Sequence, residues 1–586
     1  MLKQHRAALV VGALFVILAF HLAVAWQDIG TLARNGFLYD DSFYAFKIAQ
    51  NIADGKGATF DGIHPTTGFQ PLYVLLLVPA FMLSGNNLVL PIYIALSLLA
   101  VFTCLTAYLI YRISLRHVGW GASLIAALIW AFSPVVTKQS ANGLETALAS
   151  LMIAVSVYYY LERIRSVENP GAGRFMMQGI LLGLMVLARI DGILLMLVML
   201  LDYLVLLRRR RVSAKRLVRL ALVPLGVCIL YGPWFLFNIA VCGSPLQDSG
   251  TATRFLSLAY AGYFGYGPGD MGARGPDSSF IWAHLTHAIS TMKVIPPMHL
   301  IFRLIDKAGA MFGSPGNFHT AGNISGFLAL GGVGFTAFRW RRDEGRKRRE
   351  EMHFLILFAA VLLASYAMYV SGMFFFLRYF YPVYLIACIY FAFFLQDIYD
   401  WYTRRSGAMR RGVIIASAVY AALFGFFSYS QAFRSRPIYP FYDVARWVNE
   451  NTGDAERIGI FQCGMIGYLS NRQIINLDGK VNREALEAIK NGSLDAYLRK
   501  EGIEVVIDHS DILKIFFGDS RGRMTGSCTD IICQKMERPS GWIAYRRPAA
   551  ALERGLIGAR GAAGAVSDEH PSSYPLAGSA RAVSIH

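Results

Sequence analysis

The chain has 586 residues, of which 55% are hydrophobic and 16% are charged, whereas soluble domains usually carry about 25% charged residues. Many of its apolar runs approach the length of about 20 residues that crosses a bilayer, so the composition excludes an ordinary soluble protein and predicts a polytopic membrane protein. The net charge of +18 comes from basic residues in short connectors between apolar runs, which is the positive-inside pattern, and it therefore does not indicate a nucleic-acid partner.

The apolar runs predict about eleven membrane spans, with a cytoplasmic N-terminus and an extracytoplasmic C-terminus. The spans are predicted at about 7–26, 88–111, 120–134, 145–161, 175–189, 191–207, 217–241, 320–338, 353–371, 380–397 and 412–430. The first run is longer than the apolar core of a signal peptide, so we interpret it as an uncleaved span. The run 71–83 is short, and we interpret it as an interfacial or re-entrant helix; if it crosses, the count becomes twelve.

Composition also divides the chain into three regions. Residues 1–430 form a predicted transmembrane catalytic domain whose first outer loop is 27–87, residues 431–548 a small extracytoplasmic α/β domain, and residues 549–586 a disordered tail rich in Ala, Gly and Ser. In the α/β region, periodicity predicts helices and short strands. The helices are at 442–452, 483–489 and 494–502, and the strands are at 457–461, 473–479 and 504–509.

The adjacent carboxylates Asp40 and Asp41, in "LYDDSFYAF", are the sharpest polar feature. They follow the first predicted span and open an amphipathic helix. Close confinement of two carboxylates raises the pKa of one of them, which suits a general base or a ligand for a divalent cation such as Mg, Mn or Ca. The competing interpretation is helix capping. Both roles are compatible, with one Asp as the cap and the other as the base.

Further unusual polar residues map to the same predicted outer face. They are His64, Lys138, Glu145, Arg189, Asp191, Asp248, Arg254 and Arg378. Each has an ordinary alternative, such as loop chemistry for His64, a helix N-terminus for Glu145 and interfacial snorkelling for Arg378. Ionisable residues are essentially missing from the middles of the predicted spans, and this argues against a transporter.

The order of these motifs resembles the GT-C superfamily of membrane glycosyltransferases. After the Asp pair come "GFQPLY", "GLETAL", "LARIDG", "PWFLFNIAVCGSPLQDSG" and "RYFYP". The resemblance covers roughly residues 1–430 and is greatest to bacterial polyprenyl-phosphate-sugar-dependent enzymes, which include protein mannosyltransferase-like and arabinofuranosyltransferase groups. The segment "GMIGYLSNRQIINLDGKVN", residues 464–482, resembles the extracytoplasmic domain of some members.

The resemblance implies an inverting transfer at the outer face of a bacterial inner (plasma) membrane. A polyprenyl-phosphate sugar would be the donor, and a cell-envelope glycan, lipid or protein the acceptor. By the family pattern, Asp40 is the general base, and Asp41 orients the acceptor or holds a cation. Basic side chains would neutralise the leaving phosphate, and other polar groups would contact substrate. The basic candidates are Arg378, Arg189, Lys138 and Arg254, and the other candidates are Glu145, Asp191, His64 and Tyr379.

Two other function classes stay open at this point. A non-enzymatic transporter or flippase of a lipid-linked saccharide predicts an inverted repeat or ionisable residues inside the spans. A membrane assembly factor predicts that the Asp pair is dispensable whereas residues 436–548 are not.

Overall fold

The computed structural model describes residues 2–209, 214–263, 343–369, 377–404, 439–517, 532–535 and 541–546, together with scattered positions in 411–434. The first half is helical, as predicted. Its helices are Leu2–Ala25, Ile29–Arg34, Asp40–Ala53, Pro71–Ser84, Leu90–Ser114, Trp120–Ala131, Pro134–Ser140, Thr146–Tyr159, Ala172–Ala188, Gly192–Arg209, Ala214–Leu220, Leu222–Cys242 and Asp248–Tyr263, with a π-helical turn at Tyr160–Arg165. Two further long helices are Asp343–Tyr369 and Leu377–Thr403.

Five helices among the described residues are long and apolar enough to cross a membrane. They are Gln4–Ala25, Leu90–Ser114, Thr146–Arg165, Leu217–Cys242 and Tyr381–Thr403. Shorter apolar helices include Pro71–Ser84, which coincides with the run interpreted as interfacial or re-entrant. The predicted span 320–338 lies outside the described residues and 412–430 lies largely outside them, so the count of eleven stays a prediction.

One predicted span, 120–134, continues into a bent pair of helices. Trp120–Ala131 and Pro134–Ser140 meet at 58° and could together form a sixth span. Pro134 lacks an N–H and disfavours helix at the residue before it, so the first helix stops there. The hydroxyl of Ser133 accepts from the N–H of Val136 at 3.4 Å and caps the second helix. The bend therefore redirects the chain that carries Lys138.

Two ionisable residues lie inside predicted spans, although neither is at a span midpoint. Asp202, within the helix Gly192–Arg209, pairs with Arg165 at 2.9 Å. His21, within the first span, is buried and contacts the hydroxyl of Ser140 at 2.8 Å. Because each of these groups has a partner inside the protein, it avoids the cost of an unsatisfied polar group in an apolar setting.

The C-terminal segment, by which we mean the described residues from 439 to 546, contains a five-stranded sheet. Its strands are β1 Arg457–Ile460, β2 Gln473–Asn476, β3 Val505–His509, β4 Ile532–Lys535 and β5 Trp542–Arg546. The order is β2-β1-β3-β5-β4, with β1 parallel to β2 and β3, and β5 antiparallel to β3 and β4. Its helices are Phe441–Asn451, Gly464–Leu469, Arg483–Lys490, Leu494–Lys500 and Ser510–Phe517.

Every predicted helix and strand of this region is present, with ends within three residues of those expected. The pattern missed the helices Gly464–Leu469 and Ser510–Phe517 and the strands β4 and β5. The first of these helices has only six residues, too few for a 3.6-residue period to be recognised. The combination of a helical membrane part and a small sheet confirms the predicted fold class.

The sheet packs on the first loop, which we define as residues 27–87. Ile458 and Ile507, on one face of the sheet, share a hydrophobic cluster with Phe43 of the loop helix Asp40–Ala53. The ring of Tyr468 lies 5.5 Å from that of Phe43, and its hydroxyl donates to the carbonyl of Leu88 at 2.7 Å. The C-terminal segment is thus anchored on the loop by apolar burial, which stabilises such contacts by about 25 cal/mol per Å².

Backbone contact across this interface is closest at Gly68. A Cβ atom added there would lie 1.9 Å from the carbonyl oxygen of Lys480. The glycine of the "GFQPLY" motif therefore has a packing reason, because a side chain would force the loop and the sheet segment apart.

We expect Gly68→Ala to weaken the docking of the C-terminal segment. Overpacking of this kind costs about 1–3 kcal/mol, so the melting temperature of the purified protein in detergent should fall and limited proteolysis should release the C-terminal segment. Gly121→Ala is the control, because a Cβ there meets nothing within 4 Å. Equal melting temperatures and digestion patterns for the two variants would contradict this account of Gly68.

Candidate functional site

The two aspartates stand at the start of the helix Asp40–Ala53, but neither is its cap. Tyr39 is the N-cap residue, and no side chain caps the helix. The capping role expected from the sequence is therefore wrong, although two carboxylates in the first turn still interact favourably with the helix dipole. The two side chains instead contact groups on other parts of the chain.

Asp40 is buried against the C-terminal segment. Only 5% of its surface is exposed, and its Oδ1 accepts a hydrogen bond from the N–H of Met465 at 2.7 Å. Its own N–H donates to the hydroxyl of Tyr439 at 3.0 Å. Burial raises the pKa of Asp40 to about 7; the charge of Asp41 adds to the rise, while the N–H of Met465 and the ammonium of Lys480 oppose it. A carboxyl with this pKa can take up and release a proton near neutral pH.

Asp41 lies between two cations. Its Oδ2 is 2.8 Å from Nη1 of Arg378, and its Oδ1 is 3.4 Å from Nζ of Lys480. Burial alone raises the pKa of Asp41, but Lys480 and Arg378 outweigh it and hold that pKa well below its usual range. The pKa values of the two adjacent carboxyls are thus shifted in opposite directions, so that Asp40 can accept a proton near neutral pH and Asp41 stays ionised. Opposite pKa shifts of this kind allow two acids in one site to take different roles.

Arg189, Glu145 and Asp191 form a second ion-pair cluster. Tyr379 lies between this cluster and the ion pairs of Asp41. The guanidinium carbons of Arg378 and Arg189 lie 5.3 Å and 5.8 Å from the centre of the Tyr379 ring. Arg189 pairs with Glu145 at 2.7 Å and with Asp191 at 3.0 Å. The motifs "GLETAL", "LARIDG" and "RYFYP" therefore meet in space, and five of the predicted site residues lie in one continuous network with Asp41.

Lys138 contacts the residue that precedes the Asp pair. Its ammonium lies 5.5 Å from the centre of the Tyr39 ring. Tyr39 and Tyr439 pack edge to face, with 6.4 Å between their ring centres. The hydroxyl of Tyr439 in turn accepts the N–H of Asp40, so Lys138 is linked to Asp40 through two aromatic side chains.

One predicted residue, His64, does not join this cluster. His64 contacts Asp61 at 2.6 Å and Glu501 at 3.6 Å, within a different group of side chains. The side chain of Arg254 lies outside the described residues. The nearby Asp248 is buried and binds Thr67 and Cys242, at 3.3 Å from the N–H of Thr67 and 3.0 Å from the Cys242 sulfur.

Sequence reasoning missed the contribution of the C-terminal segment to the site. Lys480, Met465 and Tyr439 come from this segment, and Lys480 lies in its "LDGKVN" turn. In that turn Asp478 holds Lys480 through a 3.3 Å ion pair and accepts its N–H at 2.9 Å. Gly479 has φ +79°, a conformation that favours glycine. In the sequence, the acidic residue and the glycine that precede Lys480 were the signals that could have identified a turn that positions this lysine.

The donor set around the Asp pair does not fit a divalent cation. Asp41 already has two cationic partners, and Asp40 accepts a backbone N–H. In the described part of the chain, the His, Cys, Asp and Glu side chains grouped closely enough to hold a metal are His64, Glu484 and Glu501. The predicted metal role of Asp40 or Asp41 is thus not supported by their contacts, and a possible metal group lies elsewhere.

Comparison with known families gives two matches. Residues 64–234 match the family described as dolichyl-phosphate-mannose-protein mannosyltransferase. Residues 425–561 match a domain of unknown function, DUF8728. No curated protein matches the sequence significantly.

Solved structures share the fold along almost the whole chain. ArnT from Cupriavidus metallidurans, in the apo state, has a TM-score of 0.56 at 11% identity, with 94% of this chain and 99% of that chain covered. The same enzyme bound to undecaprenyl phosphate gives 0.54 at 11% identity, covering 92% and 98%. The oligosaccharyltransferase AglB from Archaeoglobus fulgidus, with an inhibitory peptide and dolichol-phosphate, gives 0.54 at 14% identity, covering 92% and 74%.

The family match over residues 64–234 and the shared fold agree with the resemblance to GT-C membrane glycosyltransferases that the sequence motifs indicated. The resemblance drawn from the sequence is thereby confirmed. The same findings support glycosyltransferase activity and a multi-pass membrane protein.

We expect Gly464→Ala to disturb the carboxyl of Asp40 directly. A Cβ at this position would lie 2.1 Å from the carbonyl oxygen of Asp40 and 3.3 Å from its Cγ, so the short helix must move away and the Met465 hydrogen bond must lengthen. Hydrogen exchange should become faster in peptides that cover 464–469 and 36–46. Gly453→Ala is the control, because its nearest neighbour would be 3.5 Å away. Unchanged exchange in Gly464→Ala would contradict the close approach.

Proposed function

We propose that this chain is an inverting glycosyltransferase that moves a sugar from a polyprenyl-phosphate donor to a cell-envelope glycan, lipid or protein acceptor, at the outer face of a bacterial plasma membrane. The observation that carries the proposal is the difference between the two adjacent aspartates. Asp40 is buried and has a pKa raised to about 7, whereas Asp41 is ionised and held by two cations. In this reading, residues 1–430 carry the catalytic domain, and the extracytoplasmic domain at 431–548 completes its site.

In the proposed reaction, Asp40 is the general base. An acceptor hydroxyl attacks the anomeric carbon of the donor from the face opposite the phosphate, and its proton passes to the Asp40 carboxylate. The new bond joins the acceptor oxygen to the anomeric carbon. The bond between that carbon and the phosphate oxygen breaks, and its electron pair leaves with polyprenyl phosphate. Because a sugar hydroxyl is a weak nucleophile, a positioned base contributes about 10²–10⁴-fold to such a step.

Arg378 and Lys480 are the proposed ligands of the donor phosphate. They already lie at a carboxylate, that of Asp41, and charge-assisted bonds to phosphate and carboxylate oxygens use the same donors. The guanidinium of Arg378 can bind two phosphate oxygens at once. Asp41 then fixes the two cations where the leaving charge develops, so no reorganisation is needed during the reaction. Arg189 and Lys138 add positive charge at the border, and Glu145 and Asp191 hold Arg189 in place.

The ligands bound in the fold neighbours support a lipid-phosphate donor. ArnT was solved with undecaprenyl phosphate and AglB with dolichol-phosphate and a peptide. A membrane enzyme can act on such a donor while the lipid tail stays in the bilayer and the phosphate lies at the interface. The resemblance to both mannosyl and arabinofuranosyl transferases makes polyprenyl-phosphate mannose and polyprenyl-phosphate arabinose the first donors to test.

Asp40→Asn should lower sugar transfer by about 10²–10⁴-fold in membranes supplied with each donor, while donor binding is retained. Asp41→Asn should instead raise the donor concentration needed for half-maximal rate, because Arg378 and Lys480 lose their anchor. Asp54→Asn is the matched control at the exposed end of the same helix. Normal transfer by both Asp40→Asn and Asp41→Asn would exclude the proposed roles. Movement of intact lipid-linked saccharide across vesicles without transfer would favour the flippase alternative.

The rate should also rise with pH through about 7. A general base acts only when it is deprotonated, and the pKa of Asp40 is raised to about 7, so the acid limb of kcat/KM should be half-maximal there and level off above it. Lys480→Gln removes a charge that lowers the pKa of Asp40 and should move this limb to higher pH. Lys490→Gln, which removes an ion pair with Glu487, is the control. An acid limb that stays in place in Lys480→Gln, or one centred near pH 4, would contradict the assignment.

A further inference from the structure

We propose that His64, Glu484 and Glu501 bind one divalent cation of the zinc class. This group lies at the contact between the first loop and the C-terminal segment and shares no ligand with the Asp pair. His64 belongs to the loop, Glu484 to the helix Arg483–Lys490, and Glu501 is the residue that ends the helix Leu494–Lys500. A cation held there would join three separate parts of the chain.

The spacing of the three side chains fits coordination better than hydrogen bonding. One ligand atom from each residue can be chosen so that all three lie within 4.8 Å of one another. Nε2 of His64 is 3.6 Å from Oε2 of Glu501, longer than an ordinary N–H···O hydrogen bond of about 2.7–3.2 Å. Two ligands around tetrahedral zinc, with bonds of roughly 2.1 Å, are separated by roughly 3.4 Å. The pair is therefore spaced as neighbouring ligands are.

His64 is already oriented as a metal ligand. Its Nδ1 lies 2.6 Å from Oδ2 of Asp61, and Asp61 is itself fixed by the N–H groups of Ile63 and His64 at 2.9 Å and 2.8 Å. A hydrogen bond from Nδ1–H to a carboxylate leaves the lone pair on Nε2, which faces Glu501. Ligating histidines in proteins almost always make such a bond with their other ring nitrogen.

Glu501 is buried, and its two basic neighbours lie at long distances. It is 8% exposed. Among the described residues, its Oε2 lies 3.6 Å from Nε2 of His64 and its Oε1 lies 3.6 Å from Nζ of Lys500. Both distances exceed that of an ordinary hydrogen bond, about 2.7–3.2 Å. A bound cation would give this carboxylate a closer partner.

The charge of the group also matches a divalent cation. With His64 neutral, the carboxylates of Asp61, Glu484 and Glu501 face a single ammonium, that of Lys500, and two negative charges remain. Lys500 is 2.6 Å from Glu484, and 64% of its side chain is exposed. A cation bound at this position would displace the ammonium, which can then be hydrated by solvent.

A cavity of about 870 Å³ opens beside the group. His64 and Glu484 line it, together with Val241 at the end of a membrane helix and Tyr497. Three protein ligands and an open fourth position are typical of exchangeable zinc sites. One imidazole nitrogen and two carboxylates favour zinc over magnesium, which prefers oxygen ligands alone. The fourth position would hold water from the cavity.

The test uses the full-length protein purified without a polyhistidine tag and stripped with chelator. Titration with Zn²⁺, followed by calorimetry and by melting temperature, should show one saturable site and a rise in melting temperature. Glu484→Gln and Glu501→Gln should each weaken Zn²⁺ binding at least tenfold and abolish that rise. Glu487→Gln is the matched control, because Glu487 lies one turn further along the same helix, lines the same cavity and pairs with Lys490 at 3.0 Å.

Several results would overturn the proposal. They are an absence of saturable Zn²⁺ binding, equal losses in Glu487→Gln and Glu484→Gln, and Mg²⁺ binding as tight as that of Zn²⁺. Zn²⁺ binding that survives both Glu484→Gln and Glu501→Gln would also overturn it, because the metal would then lie elsewhere. None of these readouts depends on sugar transfer, so the outcome is separate from the fate of the proposed activity.

Discussion

Burial of two adjacent carboxylates at a contact between distant parts of the chain is the constraint on which the site depends. Two like charges in sequence would repel and stay hydrated on an open surface. Here Asp41 is ionised because Arg378 and Lys480 face it, whereas burial keeps the pKa of Asp40 near 7. The pair therefore needs both the helix that carries Arg378 and the C-terminal segment that carries Lys480.

Close backbone approach makes this contact possible. Gly464 and Gly68 allow the C-terminal segment to touch Asp40 and the first loop at distances that a side chain would forbid. The hydrophobic cluster around Phe43 and Tyr468 supplies the apolar burial that holds the segment in place. The further cation site proposed at His64, Glu484 and Glu501 would act on the same interface, since it joins the loop to two helices of the segment.

The sequence predicted the membrane helices, several strands of the sheet and part of the site around the Asp pair, for identifiable reasons. Long apolar runs and basic connectors indicate membrane helices, and short runs rich in Val and Ile indicate strands such as β1 and β3. Asp40, Asp41 and Arg378 were identified because ionisable residues are conspicuous beside apolar runs. Lys480 was not assigned a role, because a lysine in a polar turn is ordinary and its contact with Asp41 spans 439 residues. The placement of His64 away from the Asp pair likewise follows from tertiary packing, which local pattern does not encode.

The protonation state of Asp40 is the most direct test of this account. Infrared difference spectroscopy of the full-length protein should show the carbonyl band of a protonated carboxyl that titrates near pH 7. The part of that band that comes from Asp40 should disappear in Asp40→Asn and persist in Asp41→Asn, because the two cations keep Asp41 ionised. A contribution from Asp508, whose pKa burial also raises to about 7, should persist in both variants. A wild-type band that titrates below pH 5, or one that is lost in Asp41→Asn and kept in Asp40→Asn, would contradict the assignment of base and anchor on which the proposed function depends.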